Sequence, residues 1–187
     1  MAKVGSPDTG PAPGELELVR RFVNTWDAEL ESEALASPAG LSAWLAESAL
    51  ADGAHASDAD LVRVLEAREA LRELLIANNS GDAPSRAAVK RMNEAFAGCS
   101  LEVRFSGEGA TSLVPNEGGV DGALAKIAAI VREAMLTGEW LRLKACPAED
   151  CQWAFYDRSR NRSRTWCQMG DCGNRAKVRA FRARKSR

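Results

Sequence analysis

The sequence contains a single histidine, and it has neither a glycine-rich nucleotide-binding fingerprint nor an internal repeat. His55 lies among Gly, Ala and Ser residues, without the positioned partners that catalysis by a histidine requires. Gly118-Gly119 lacks both the spacing and the following lysine of a phosphate-binding loop. No segment of about 20–50 residues recurs along the chain. We therefore expect neither an enzyme nor a nucleotide-binding or repeat protein.

Long apolar segments are also missing. No run approaches the roughly 18 apolar residues of a membrane-spanning helix, and residues 1–14 lack the apolar core of a signal peptide. These absences predict a cytoplasmic protein with no membrane partner. In that reducing compartment the five cysteines are poor disulfide candidates, and clustered cysteines are better interpreted as metal ligands or redox groups. Cys99 stands apart from the cluster, and we interpret it as a small buried apolar residue rather than a reactive thiol.

Charge is distributed very unevenly along the chain. Residues 141–187 contain 13 Lys and Arg against 4 Asp and Glu, a net charge of +9, whereas residues 1–140 contain 12 against 22, a net charge of −10. The two parts sum to the net charge of −1 of the whole chain. Such asymmetry predicts a C-terminal surface for a polyanion, joined to a domain whose acidic face would not itself approach one.

The hydrophobic pattern predicts a mostly α-helical fold with one small β-hairpin. Residues 1–14, rich in Gly, Pro and Ala, are predicted to be a disordered tail, residues 15–137 a helical domain, and residues 138–187 a small C-terminal module. The predicted helices lie near residues 16–26, 41–50, 58–79, 85–97 and 120–136, and the predicted strands at 101–105 and 111–115. Asp58 or Asp60 is the expected cap of the third helix.

Asn24, Trp26 and Trp44 form a candidate ligand pocket in the helical domain, because their pattern places them near one another. A small molecule bound there would modulate the C-terminal module. Tryptophans at helical spacing are more often part of the hydrophobic core, and we favour that interpretation. The sequence names no ligand.

The C-terminal module contains two CxxxxC pairs. Cys146 and Cys151 form the first pair, and Cys167 and Cys172 form the second after fifteen intervening residues. Each pair can fold as a tight turn, and four thiolates at about 2.3 Å satisfy a structural Zn²⁺ ion without leaving an open position for chemistry. An iron–sulfur cluster or two disulfides would also accept four cysteines, but the paired spacing and the cytoplasmic setting favour zinc.

The residue pattern in the rest of the module predicts a treble-clef-like order of cysteine turn, hairpin, cysteine turn and helix. Residues 152–157 alternate as a strand, and residues 164–167 are expected to return beside it, with the charged residues 158–163 as an exposed tip. The following helix would turn Val178 and Phe181 inward and present a stripe of arginines outward.

Two stretches carry a family resemblance. Residues 140–177, with Cys172-Gly173-Asn174-Arg175 after Phe155-Tyr156-Asp157 and Trp166-Cys167, resemble the CGNR zinc finger of bacteria. Upstream, Phe22-Val23-Asn24-Thr25, Trp44-Leu45 and the run Ala67-Arg68-Glu69-Ala70-Leu71-Arg72 resemble the ABATE domain that usually precedes that finger. The family is described as stress-induced transcription regulators. The resemblance therefore implies that the finger binds DNA and that the helical domain has a regulatory role.

The candidate partner is nucleic acid, with duplex DNA favoured. Arginines beside aromatic residues, followed by a second basic stripe on a zinc-supported helix, suit phosphate contacts from a rigid frame. The candidate contacts are Arg158, Arg160, Arg162, Arg164, Asn174, Arg175, Lys177, Arg179 and Arg182. Asn174 and Arg175 could instead only brace the zinc site. The alternatives are an RNA-binding or a protein-interaction module, and a homodimer would increase specificity although no sequence signal requires one.

Overall fold

The structure is a computed structural model, and it describes residues 10–185. In this range the helices are α1 (Leu16–Val23), α2 (Pro38–Glu47), α3 (Asp58–Ser80), α4 (Arg86–Ala95), α5 (Gly119–Thr137) and α6 (Asn174–Lys185). The strands are β1 (Trp26–Asp27), β2 (Ser32–Glu33), β3 (Leu101–Phe105), β4 (Thr111–Pro115), β5 (Leu143–Ala145) and β6 (Ala154–Tyr156), which pair in order as three antiparallel two-stranded sheets. The predicted fold class, mostly helical with small β-elements and a C-terminal cysteine cluster, is confirmed. No helix within residues 10–185 has the length and apolar character needed to cross a membrane.

The long helix α3 begins and ends at residues that satisfy its free backbone groups. Ser57 caps it: the Ser57 Oγ accepts a hydrogen bond from the Asp60 backbone N–H at 3.2 Å, and the Asp60 carboxylate accepts one from the Ser57 N–H at 2.9 Å. At the other end Gly81 adopts a left-handed φ of 78°, which glycine does without a steric penalty. The predicted aspartate cap is therefore wrong, because Asp60 is the reciprocal partner of the capping box and not the cap itself.

The first helix is shorter than its apolar pattern predicts. It ends at Val23, and Trp26 belongs instead to β1, paired with Glu33. The predicted hairpin at 101–105 and 111–115 is confirmed, with Val103 opposite Leu113 at its centre.

The strand partner in the C-terminal module differs from the prediction. Residues 154–156 pair with residues 143–145, which precede the first cysteine pair, and not with residues 164–167. The first cysteine turn therefore joins the two strands of a sheet. The prediction failed because β5 has only three residues, all buried, and such a strand shows no alternation in the sequence.

One hydrophobic core joins the two predicted domains. Leu143, Ala145, Ala154 and Tyr156 of the β5–β6 sheet are buried in the same cluster as the apolar faces of α1, α3 and α5. Packing therefore continues across the predicted boundary at residue 137. A second, smaller cluster contains the four module cysteines together with Ala148 and Phe155.

The predicted N-terminal tail lies mostly outside the described residues, which begin at residue 10. Residues 10–14 contact the body of the protein. Ala12 is buried, and its backbone N–H donates to the Glu17 carboxylate at 2.7 Å.

Candidate metal centre and basic surface

The first cysteine pair lies on the connection between β5 and β6. The Cys146 N–H donates to the Trp153 carbonyl at 3.0 Å, so the strand pairing extends into the turn. The N–H groups of Cys151 and Gln152 both donate to the Ala148 carbonyl, at 2.9 and 3.0 Å. Gln152 has a left-handed φ of 53°, which reverses the chain immediately after Cys151. Both sulfurs consequently face the interior of the module.

The second cysteine pair is connected by a single π-helical turn, Met169–Gly173, which contains Cys172 and leads directly into α6. Gly173 is buried, and a Cβ atom at this position would lie 2.5 Å from the Met169 sulfur and 3.2 Å from the Trp166 ring. Its φ is not left-handed, so close packing, and not an unusual backbone conformation, favours glycine here. The turn packs tightly enough to place Cys172 against Cys167.

The four cysteines Cys146, Cys151, Cys167 and Cys172 converge on one point. Their sulfur atoms all lie within 4.8 Å of one another, and all four residues are buried. The Cys151–Cys167 and Cys167–Cys172 sulfur distances are 3.4 and 3.6 Å. Tetrahedral coordination at about 2.3 Å places sulfur atoms about 3.8 Å apart. None of the four forms a disulfide, and the donor set fits one tetrahedral metal ion.

The protonation of the cluster shows why it needs a cation. Hydrogen bonds from Cys151 and Cys167 lower the pKa of Cys146 to about 2. The hydrogen bonds that Cys151 and Cys167 donate to the Cys146 sulfur raise the pKa of both donors. Burial raises the pKa of Cys172. Without a metal the cluster therefore accommodates one thiolate, because further negative charges would lie buried beside the first. A divalent ion supplies the charge that allows all four to ionise.

Arg175, the last residue of the CGNR motif, points back at the cysteine cluster. Its Nη2 donates to the Cys172 sulfur at 3.2 Å, and its Nη1 donates to the Asp171 carboxylate at 2.9 Å. The same guanidinium lies 3.6 Å from carboxylate oxygens of Asp150 and of Glu29, the latter in the helical domain. Partial burial would lower the pKa of Arg175, but the Cys172 side chain and the surrounding carboxylates raise it. This geometry is that of a brace for the metal ligand.

A buried ion pair organises the loop between the two cysteine pairs. Lys144 on β5 contacts Asp157 at 2.8 Å, and both side chains are almost completely inaccessible to solvent. The Lys144 ammonium also donates to the carbonyls of Arg162 and Arg164, at 2.6 and 3.0 Å. Burial acts to raise the pKa of Asp157, but hydrogen bonds from Lys144, Ser159 and Arg164 together lower it. The loop of residues 158–164 is thus fixed from inside.

The predicted nucleic-acid contacts separate into braces and exposed groups. Arg164 donates to the carbonyls of Trp166 and Cys167 and lies over the Phe155 ring at 5.2 Å, so it holds the second cysteine turn. Asn174 is exposed and donates to the Gly170 carbonyl at 2.8 Å. The other positions are exposed: Arg158, Arg160, Arg162, Lys177, Arg179 and Arg182. Of these, Arg158 also donates to the Pro11 carbonyl, and Arg179 lies 3.8 Å from Asp150.

Helix α6 is exposed at every residue from Lys177 to Lys185. It contains no buried residue, and Val178 and Phe181 are 47% and 56% exposed. The prediction that these two side chains turn inward is wrong. The module's small core lies at the N-terminal end of α6, around the cysteines, and it includes neither Val178 nor Phe181.

The residues of the candidate ligand pocket, Asn24, Trp26 and Trp44, all have contacts within the fold. Trp44 is buried in the core, with its ring 5.4 Å from that of Phe22. The Asn24 amide bonds the backbone of Ala154 in both directions, at 2.9 and 2.7 Å. Trp44 is thus a core residue, as the favoured interpretation expected, whereas Trp26 is half-buried on β1.

Comparison with protein families identifies both parts of the chain. Residues 142–185 match the model of the CGNR zinc finger. Residues 16–139 match the model of the ABATE domain, described as "Putative stress-induced transcription regulator". Comparison with curated proteins gives no match.

Proposed function

Because the chain belongs to the ABATE family, described as "Putative stress-induced transcription regulator", and its residues 142–185 match the CGNR zinc finger, we propose that it is a zinc-dependent protein that binds duplex DNA in the cytoplasm. The helical domain, residues 15–137, supports the finger, residues 138–187. Zinc is the resident metal, and its ligands are Cys146, Cys151, Cys167 and Cys172. The metal has a structural role, because four protein ligands leave no coordination position for a substrate.

The donor set supports the choice of zinc. Four buried thiolates on two separate turns, with sulfur spacings of 3.4 and 3.6 Å, suit a single small ion that prefers tetrahedral sulfur coordination. An iron–sulfur cluster has its cysteines around several metal atoms and needs a larger space between the sulfurs. Bound zinc would fix the turn from which α6 begins.

The composition of α6 is the main observation that supports the nucleic-acid proposal. Its twelve residues, NRAKVRAFRARK, include six basic residues and no acidic one, and none is buried. A solvent-exposed helix of this charge, attached to a metal-fixed turn, can approach the phosphates of a duplex as a rigid unit. Arg160 and Arg162 add two exposed positive charges on the loop held by Lys144. We assign the contacts to these two arginines together with Lys177, Arg179 and Arg182.

The proposal is tested by fluorescence anisotropy with the full chain and a mixed-sequence DNA duplex, a single strand and an RNA duplex, each at about 50 and 200 mM salt. We expect preference for duplex DNA, a strong loss of affinity at the higher salt, and loss of binding when a chelator removes the metal. A preference for RNA would replace DNA as the partner. Absence of binding to every nucleic acid at low salt would contradict the proposal and favour the protein-interaction alternative.

A further inference from the structure

Three side chains of the helical domain bond the backbone of the finger next to its metal ligands. The clearest is Asn79, in the last turn of α3. Its Nδ2 donates to the Ala145 carbonyl at 2.9 Å and to the Thr165 carbonyl at 2.6 Å. Ala145 directly precedes Cys146, and Thr165 lies two residues before Cys167. One amide group therefore ties together the segments that lead into the two cysteine turns.

The second is Arg72, which lies about two turns before Asn79 on the same face of α3. Its side chain is 2% exposed, and its guanidinium donates to the carbonyls of Gln152 and Val23 at 2.9 and 2.7 Å. Glu69 balances its charge at 2.9 Å. Gln152 is the residue with the left-handed φ of 53° that follows Cys151. A left-handed conformation is unfavourable for glutamine, so an external partner is needed to hold it.

The third is Asn24, just after α1. It pairs with both the N–H and the carbonyl of Ala154, as a neighbouring strand would, and so continues the β5–β6 sheet on its open side. Ala154 lies three residues after Cys151. Together the three side chains fix the backbone before Cys146, after Cys151 and before Cys167.

We propose that Asn79, Arg72 and Asn24 are positioning residues of the metal centre, so that the helical domain holds the finger in its metal-binding conformation. This inference rests on the proposed metal site. Small isolated fingers must order their backbone when the metal binds, and that ordering reduces the net affinity. In this chain, packing against the helical domain already orders part of the finger backbone before the metal binds. The metal affinity of the finger is consequently set by residues that touch no ligand.

The test compares Asn79→Ala with Asn78→Ala in the full chain. Asn78 is the matched control, because it is the adjacent residue on α3 and also donates twice to backbone carbonyls, at Trp140 (2.8 Å) and Leu143 (3.0 Å), which are not next to a cysteine turn. Zn²⁺ affinity is measured by competition with a coloured chelator, after circular dichroism has shown that both variants retain their helices. We expect Asn79→Ala to lower the affinity by about 10-fold or more and the control to change it much less.

Cobalt provides a readout that general destabilisation would not change. Co²⁺ bound to four thiolates has absorption bands whose position and intensity depend on the ligand geometry, and we expect these bands to change in Asn79→Ala and in Asn24→Ala but not in Asn78→Ala. Equal affinities and identical spectra in all variants would overturn the positioning role. Failure of the unmodified protein to bind either metal would instead contradict the metal site itself.

Discussion

Arg175 donates a hydrogen bond to the sulfur of Cys172 at 3.2 Å, from a position three residues further along the chain at the start of α6. The guanidinium thus faces the cysteine cluster, although 32% of the side chain remains exposed. Arg175 is one of the candidate nucleic-acid contacts, and its guanidinium is held by Cys172, Asp171, Asp150 and Glu29. A positive charge at this position offsets part of the negative charge that four thiolates place around one divalent ion.

Arg175→Ala should therefore weaken metal binding. Loss of a charge-assisted hydrogen bond to a ligand is expected to lower Zn²⁺ affinity by about 10–100-fold. Arg179→Ala is the control, since it removes the same charge from the next turn of α6, where the side chain reaches only Asp150. Chelator competition measures both. Unchanged metal affinity in Arg175→Ala would show that the residue does not brace the centre.

Metal binding should release about three protons per ion at pH 7. Cys146 is already ionised in the metal-free cluster because its pKa is lowered to about 2, whereas the pKa values of Cys151, Cys167 and Cys172 are raised and these thiols remain protonated. Protons therefore compete with the metal, and affinity should fall as the pH falls. Titration calorimetry in buffers with different ionisation enthalpies counts the protons. A release near zero would contradict the thiol assignment.

Removal of the metal should destabilise the helical domain as well as the finger. The β5–β6 sheet shares its core with α1, α3 and α5, so disorder that starts at the cysteines exposes apolar surface in both parts. We expect Cys172→Ser to lower the midpoint of the thermal transition followed at a helical wavelength, with a single cooperative transition before and after. An unchanged helical transition would show that the two parts fold independently.

The sequence analysis identified the features that depend on local pattern. The helices, the β3–β4 hairpin and the four clustered cysteines all follow from spacing along the chain, and each is present. The pairing of β5 with β6 could not be predicted in this way, because Leu143–Ala145 shows no alternation and its partner lies beyond the cysteine turn.

The roles of individual polar residues depended on tertiary contacts. Arg164 and Arg175 lie in the same basic segment as the exposed arginines, yet Arg164 donates to a backbone carbonyl and Arg175 donates to the sulfur of Cys172. Asn24 was considered as part of a pocket because it lies near Trp26 in the sequence, but its partner, Ala154, is 130 residues away. No short-range pattern encodes such a contact.

The buried pair Lys144–Asp157 should be important for stability. Lys144→Met leaves the Asp157 carboxylate buried without its cation, and breaking a buried pair in this way costs about 3–5 kcal/mol. Denaturant unfolding of the metal-loaded protein measures the change. Arg142→Met serves as a control, because Arg142 donates to the Asp157 carbonyl and not to its carboxylate, and we expect a smaller loss. Equal losses would mean that the charge of Lys144 contributes little.

The loop arginines should determine part of the salt dependence of DNA binding. Arg160 and Arg162 are exposed on a loop whose backbone is fixed by Lys144, so their side chains can reach phosphates while the loop keeps its shape. Each phosphate contact contributes about −0.9 to the slope of log affinity against log salt. The double variant Arg160→Ala/Arg162→Ala should thus make the slope shallower by about two and weaken binding to all sequences alike.

The control is the double variant Lys90→Ala/Arg104→Ala. It removes the same charge from exposed positions on α4 and β3, with side chains that are 75% and 68% exposed. Its slope should stay close to that of the unmodified protein, because a remote charge does not displace a counterion from the duplex. If both double variants change the slope equally, the effect comes from net charge and the loop is not a contact surface.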